Sequence, residues 1–214
     1  WLARWTGAVR TPADMLRFVD DVGCCTRQAL PGFPDFPNQQ AALGDPDPMS
    51  PDPWFWKDDL HIQKHLCYTR VFGGRPGFLS YTLLPAMIAA NGAAADELLF
   101  NGAMSPAARE IYVAIEKLGP IPIRDLKRML SADARRAATR VLHTLDRQFI
   151  ITKTGITGRT LGSYGYVWDL VERFAPDMLD AADRLGRDAA MELIRQHLAA
   201  FGVPPGSPFY QKVL

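Results

Sequence analysis

The sequence predicts a mainly helical fold with small β-hairpins. Three observations carry that reading. Apolar residues recur at helical spacing behind recognisable caps along much of the chain. Two runs, FIITKTG and YGYVWDL, are β-rich and are separated by a glycine-containing turn region. From Met104 to Leu170 the elements fall in the order helix, short helix, helix, hairpin, which is the order of a winged helix, a helix-turn-helix variant.

The first helix is expected in TPADMLRFVDDVG. Thr11 can N-cap it, Pro12 suits the first turn, and Asp14 stands three residues after the cap. Met15, Phe18, Val19 and Val22 fall on one face, and Gly23 ends it. LPGFPDFPNQQAALGDPDPMSPDP is rich in Pro, Asp and Gly and lacks periodicity, so it reads as an irregular loop, with Phe33 and Phe36 packing it onto the domain. A helix is expected from about Trp54 to Val71, with Phe55, Leu60, Leu66 and Val71 buried and Gly73–Gly74 stopping it. FLSYTLLPAMIAANG reads as a further helix with a kink or new start near Pro85, and AAADELLFNG as a short one ending at Gly102.

Beyond Met104 the signals sharpen. Ser105-Pro106 begins a helix whose face is Ile111, Ile115 and Leu118, and Gly119-Pro120 ends it. IPIRDLKRML is a short second helix after an extended piece. Ser131 caps a third, with Asp133 in its first turn and Ala138, Val141, Leu142 and Leu145 inward. The tail MLDAADRLGRDAAMELIRQHLAAFG is an amphipathic helix with a break expected near Gly186. These elements divide the chain into a helical N-terminal region (1–103), a winged-helix domain (104–170) and a C-terminal helix with its tail (171–214). No internal repeat of fixed period is evident.

Composition narrows the function classes. The chain has 214 residues and is 48% hydrophobic, enough for one well-packed domain or two small ones. No run of about 18 apolar residues exists, so no membrane span is expected. Three cysteines, two adjacent (Cys24, Cys25) and one distant (Cys67), make neither a disulfide framework nor a paired zinc site, and a reducing, cytoplasmic compartment is expected. The chain opens on Trp1 and not Met, so the natural start is expected upstream, with room for a short targeting segment. Net charge is only +1, but it is unevenly spread. Met104–Leu170 carries 11 Lys/Arg against 6 Asp/Glu, whereas the first 103 residues carry 8 against 11. A basic segment in a neutral chain points to an anionic partner for that segment alone.

The third helix concentrates this charge. Arg136, Arg140, His143 and Arg147 are spaced by four, three and four, so they form one stripe opposite the apolar face, flanked by Arg135 and Thr139. In a helix-turn-helix this element enters the major groove, where arginine pairs with guanine edges or phosphates. Arg159 sits near the hairpin tip, where a wing touches the duplex, and Lys127 and Arg128 end the second helix within reach of phosphates. A solvated helix face is also often basic, and winged helices serve as protein-interaction modules, so the alternative is protein contact.

WFWKDDLHIQKHLCYTRVFGGRPGFLSYTLLPAMIA, SPAAREIYVAIEKLGPIPIRDLKRML, LHTLDRQFIITKTGI and YGYVWDL carry a resemblance. From about Thr11 to Pro176 the chain resembles a bacterial family of winged-helix proteins related to the AlkZ/YcaQ DNA glycosylases, and the glycosylases themselves only remotely. The resemblance implies tandem winged-helix units around a DNA channel, base removal without a metal, and hence a degenerate winged-helix unit before Met104. The glycosylases carry Gln-x-Gln or Gln-x-Asp shortly after a first-domain helix that ends in glycine. Here Cys25, Thr26 and Arg27 stand there; Gln28 follows, with Leu30 next but one. Their aromatic-x-His stretch before Leu-Pro is met by Phe78 and Ser80, with no histidine. Gln39-Gln40 in the loop is a poor substitute. These departures argue against excision by the family mechanism, and no catalytic residue is assigned.

Other constellations are weaker. His61 and His65, four apart with Asp58 nearby, fit a shared metal, but Ile62 stands where a zinc-protease helix needs glutamate, and no third ligand is evident. Adjacent Asp58 and Asp59 point apart on a helix, which suits salt bridges with Lys57 or Lys64 better than acid–base chemistry. Cys67 reads as core, and Cys24-Cys25 as reactive only if exposed near Arg27. GGRPG lacks the Lys-Ser/Thr of a phosphate loop. Trp54, Phe55 and Trp56 are more simply a loop anchor than a base-stacking platform, and one face of the Tyr164–Tyr166–Trp168 alternation is core. The expected function is therefore duplex-DNA binding, with no cofactor, metal or membrane partner. A glycosylase-like enzyme with a changed site and a protein-interaction module are the alternatives, and homo-oligomerisation is left open.

Overall fold

The computed structural model describes residues 5–45 and 47–207. The described residues are mainly helical, with two small three-stranded antiparallel sheets. The described residues up to Ala90, together with those from Asp180 onward, form one compact unit, and Asn91–Leu179 form the other.

In the first unit α1 (Pro12–Val22) opens with a reciprocal capping box. The Asp14 N–H donates to Thr11 Oγ1 at 3.1 Å, and the Asp14 carboxylate accepts the Thr11 N–H at 3.0 Å. Met15, Phe18, Val19 and Val22 are buried, as the spacing predicts. Strand β1 (Cys24–Thr26) follows, then an irregular segment that buries Phe36 against the edges of Phe72 and Phe201. A four-residue helix, α2 (Gln39–Ala42), interrupts that segment behind an Asn38 cap.

Helix α3 (Pro53–Ile62) is shorter than its sequence suggests. The helix expected to reach Val71 stops nine residues early, at Ile62. The chain turns and forms β2 (Leu66–Phe72) and β3 (Arg75–Ser80), paired around Gly73–Gly74, and only then α4 (Leu84–Asn91). Both turn glycines have positive φ (62° and 82°), as a two-residue I′ hairpin turn requires. They reverse a strand; they do not stop a helix. β2 is misleading because it is buried on both faces, so its run LCYTRVF shows none of the alternation that marks a half-buried strand. FLS likewise lies in β3, the central strand of the order β1-β3-β2, and not in a helix.

The second unit begins with α5 (Ala95–Phe100) and α6 (Pro106–Leu118). Then come β4 (Ile121–Pro122), α7 (Ile123–Met129), α8 (Ala132–Arg147), β5 (Ile151–Ile156), β6 (Tyr166–Leu170) and α9 (Val171–Phe174). Its core joins Ile111 and Ile115 of α6, Leu126 of α7, Ala138, Leu142 and Leu145 of α8, and Trp168 of β6. Arg173 of α9 donates to the Ile115 and Glu116 carbonyls at 2.9 and 3.1 Å, satisfying the open C-terminal end of α6.

Helix α10 (Pro176–Leu185) is separated from α11 (Arg187–Ala199) at Gly186, where φ is 74°, so the predicted break is present. α11 belongs to the first unit and packs against the end of α1. The His197 ring lies 2.9 Å from the Val22 carbonyl, and against Gly23 a Cβ would come within 2.5 Å of that ring.

The two units repeat one topology. α1-β1-α2-α3-β2-β3 corresponds to α6-β4-α7-α8-β5-β6, and the sheet orders β1-β3-β2 and β4-β6-β5 are the same. At the helix-to-hairpin junction the correspondence holds residue by residue at an offset of 85 (Leu60 to Leu145). His65 N–H donates to Leu60 O at 2.9 Å, and Ile150 N–H to Leu145 O at 3.0 Å. Lys64 N–H donates to His61 O as Phe149 N–H does to Asp146 O. Both β2 and β5 carry an irregularity in their pairing, between Thr69 and Phe72 in one and between Lys153 and Gly155 in the other. In the sequence this repeat survives at the junction only as Leu60/Leu145, Gln63/Gln148 and Thr69/Thr154, which is too little to show a period.

Candidate nucleic-acid interface

Helix α8 is held at both ends. Ser131 caps it by accepting the Ala134 N–H at 3.3 Å. The Glu110 carboxylate of α6 accepts the Ser131 N–H at 2.6 Å and its hydroxyl at 2.7 Å, and these bonds hold the Glu110 carboxyl below its usual range. At the other end Asp146 is buried and accepts two bonds from the Lys153 ammonium of β5, at 2.8 and 2.7 Å. That ammonium lies 5.4 Å from the centre of the Trp168 ring and 5.9 Å from that of Tyr166. The helix therefore presents a fixed face.

Ala134, Ala138, Val141, Leu142 and Leu145 point into the core. Arg136, Arg140 and Arg147 are exposed on the opposite face, with His143 half-buried between them. The four side chains differ in what they already hold. Arg136 pairs with Asp133 one turn back. Arg135, beside the stripe, donates to the Leu130 carbonyl at 3.0 Å. Arg140 and Arg147 carry no ion pair among the described residues. On α7, Arg128 is exposed and pairs with Asp125 at 2.8 Å, while Lys127 is half-buried with no ion pair among the described residues.

The hairpin between β5 and β6 is stiffened by its own side chains. Thr160 and Ser163 hydroxyls lie 2.7 Å apart, Tyr164 N–H donates to Thr160 O at 2.8 Å, and Thr157 Oγ1 donates to the Ser163 and Gly165 carbonyls. Arg124 of α7 donates to Gly162 O at 3.2 Å, tying the tip to the helix before α8. Arg159 is exposed on this tip, beside the fully exposed Leu161. No local signal in the sequence marks Arg124, because its partner lies 38 residues away.

The corresponding face of the first unit is different. At the places of Arg140, His143 and Arg147, α3 has Phe55, Asp58 and Ile62, of which Phe55 and Asp58 are buried. Asp58 is paired with Lys57 at 2.6 Å; burial pulls the Lys57 ammonium below its usual range while Asp58 opposes the shift. His61 faces inward, its Nδ1 accepting the Tyr68 N–H at 3.2 Å, while His65 is exposed, so the two histidines do not converge. Trp56 is fully buried and donates to Pro51 O at 2.8 Å. Trp54 is half-exposed, but Lys57 and Arg27 lie 4.5 and 4.9 Å from its ring centre, so the cluster anchors the loop. Cys24, Cys25 and Cys67 are buried; burial pushes the Cys24 thiol up to about 12 and Cys25 well above its usual value, so the adjacent pair is not reactive.

Among the described residues no group of three or more His, Cys, Asp or Glu converges on a point that could hold a metal ion. No described helix is long and apolar enough to cross a membrane.

A family model described as AlkZ related matches residues 9–214. The chain belongs to the AlkZ-related family. Comparisons with curated proteins and with solved structures return no match.

Proposed function

We propose that this protein binds duplex DNA in a repair-related role, each unit being a winged helix, with α8 as the groove-facing helix and the β5–β6 hairpin as the wing. One observation carries the reading. Arg140 and Arg147 project from the face of α8 opposite the core with no ion pair among the described residues. Such arginines meet phosphate or guanine without first breaking a local pair. Arg136, His143 and Arg135 extend the contact, Arg159 serves the wing, and Lys127 and Arg128 reach backbone phosphates. In the first unit α3 has Phe55, Asp58 and Ile62 at the corresponding places, so that helix adds no matching basic stripe.

The test is binding of a labelled duplex across a salt series, by the wild type and by Arg140→Glu/Arg147→Glu. The wild type binds and weakens steeply with salt, and the double variant binds at least about tenfold more weakly. Absence of binding at low salt refutes the reading.

One observation favours a glycosylase-like alternative with a changed site. Gln40 N–H donates to Arg27 O at 3.1 Å, and Thr26 bridges Asn38. Gln39 and Gln40 thus stand beside the position where the related glycosylases carry their amides. Incubation with a duplex containing an alkylated base separates the two: release of the base supports excision, and retention leaves binding alone.

A further inference from the structure

Leu98 of α5, Ala108 of α6, and Val141 and Leu145 of α8 line a cleft of about 300 Å³, together with Met104. That volume is at the small end of ligand pockets. Its other lining residues include Ser105, Arg140, Thr144 and Gln148. No aspartate or glutamate lines it. Thr144 donates its hydroxyl proton to Arg140 O at 3.1 Å, whereas Ser105 Oγ accepts the Ala108 N–H at 3.3 Å and keeps its own proton to donate. The Arg140 guanidinium and the Gln148 carboxamide have no side-chain hydrogen bond among the described residues. An apolar wall with one uncommitted cation and one uncommitted amide suits a ligand with an apolar body and a single anionic end.

We propose that this cleft binds a small carboxylate with a compact apolar body, its carboxylate held by Arg140, and that occupancy takes Arg140 away from the DNA-gripping face. The second clause rests on the DNA reading above; the first does not. A planar carboxylate accepts two parallel bonds from a guanidinium, which a neutral isostere cannot match. Arg140 belongs both to the cleft and to the stripe on α8, so one side chain serves two anions and the two ligands compete.

The probes are benzoate and its neutral counterpart benzamide, titrated into the full chain by calorimetry at matched ionic strength. Benzoate is expected to saturate and to bind at least about tenfold more tightly than benzamide. Arg140→Gln, at an exposed site, removes that difference. Ala108→Leu fills the wall and abolishes binding of both, with circular dichroism checking its fold. Failure of benzoate to saturate, equal affinity for benzamide, or benzoate affinity unchanged in Arg140→Gln overturns the site. The DNA arm is separate. Saturating benzoate should weaken duplex binding by the wild type and not by Arg140→Gln; unchanged wild-type DNA affinity overturns the competition. Benzoate binding as described with no DNA binding leaves the site standing and removes the DNA reading. DNA binding without benzoate binding does the reverse.

Discussion

Lys64 and Phe149 occupy the same place in the two units. Each stands two residues ahead of a strand, and each holds positive φ, 61° and 54°, as the only described non-glycine residues to do so. The turn that links helix to hairpin demands this left-handed conformation in both copies, while the side chains differ in use. Lys64 is exposed, and Phe149 is buried, with 6% of its surface accessible. Glycine at the first site should therefore relieve strain at little cost, raising stability by about 0.5–1 kcal/mol. Glycine at Phe149 relieves the same strain but empties a packed site, for a net loss of about 3 kcal/mol. Urea unfolding of Lys64→Gly and Phe149→Gly checks the opposite signs; equal signs would reject the equivalence.

The Asp146–Lys153 pair is the second point where α8 is fixed, and both side chains are nearly inaccessible. Removing one partner strands a buried charge. Lys153→Met alone should cost about 3–5 kcal/mol, and Asp146→Leu/Lys153→Met together distinctly less. A double-mutant cycle by chemical denaturation reads the difference. A double variant as unstable as the sum of its singles would mean that the two charges do not compensate each other.

Much of the second unit was legible in the sequence because its signals are local. Ser105-Pro106, Ser131 with Asp133, and the apolar face of α8 each declare an element within one or two turns. The first unit hides its hairpin, since β2 is buried on both faces and Gly73–Gly74 mark a helix end as readily as a strand reversal. The duplication, implied by the family resemblance, left no readable period in the residues for a related reason: what the two copies share is backbone bonding, and backbone bonding tolerates His61 for Asp146 and Tyr68 for Lys153. On α8, the exposed basic stripe was readable from spacing alone. Which arginines are already committed was not, because Arg135 bonds a carbonyl and Arg128 and Arg136 pair with aspartates only once the helices are formed.

That distinction makes a quantitative forecast for DNA binding. Removing one arginine–phosphate interaction should lower the slope of log affinity against log salt by about one. Arg140→Gln and Arg147→Gln should each approach that value. Arg128→Gln and Arg136→Gln should change it by clearly less, because their aspartates already neutralise part of the charge. Salt titrations of the four single variants against one duplex provide the measurement. Equal slopes for all four would show that the local pairs dissolve on binding.

The buried thiols lead to a chemical forecast. With its pKa pushed to about 12, Cys24 at pH 8 is thiolate in only about one molecule in ten thousand. The native protein should therefore leave Cys24 and Cys25 unlabelled by iodoacetamide over an hour, and denaturant should expose both. Peptide mass spectrometry reads each site. Fast native labelling would mean that β1 opens far more readily than a buried strand should.

The capping box of α1 ties stability to acidity in a definite direction. Asp14 is held below its ordinary value of 3.8, chiefly by the Arg17 side chain, then by Thr11 and the Arg10 N–H, with burial opposing. The folded chain thus binds this proton less tightly than the unfolded one. The stabilisation is fully present above about pH 3.8 and is lost as pH falls through the lower folded value. Asp14→Asn should flatten that part of the acid limb while leaving neutral-pH cooperativity intact. Thr11→Ala removes the other half of the box and should cost about 1 kcal/mol at neutral pH. Thermal melts from pH 2.5 to 7 separate the two contributions. An acid limb in Asp14→Asn identical to that of the wild type would mean that other carboxylates govern acid unfolding.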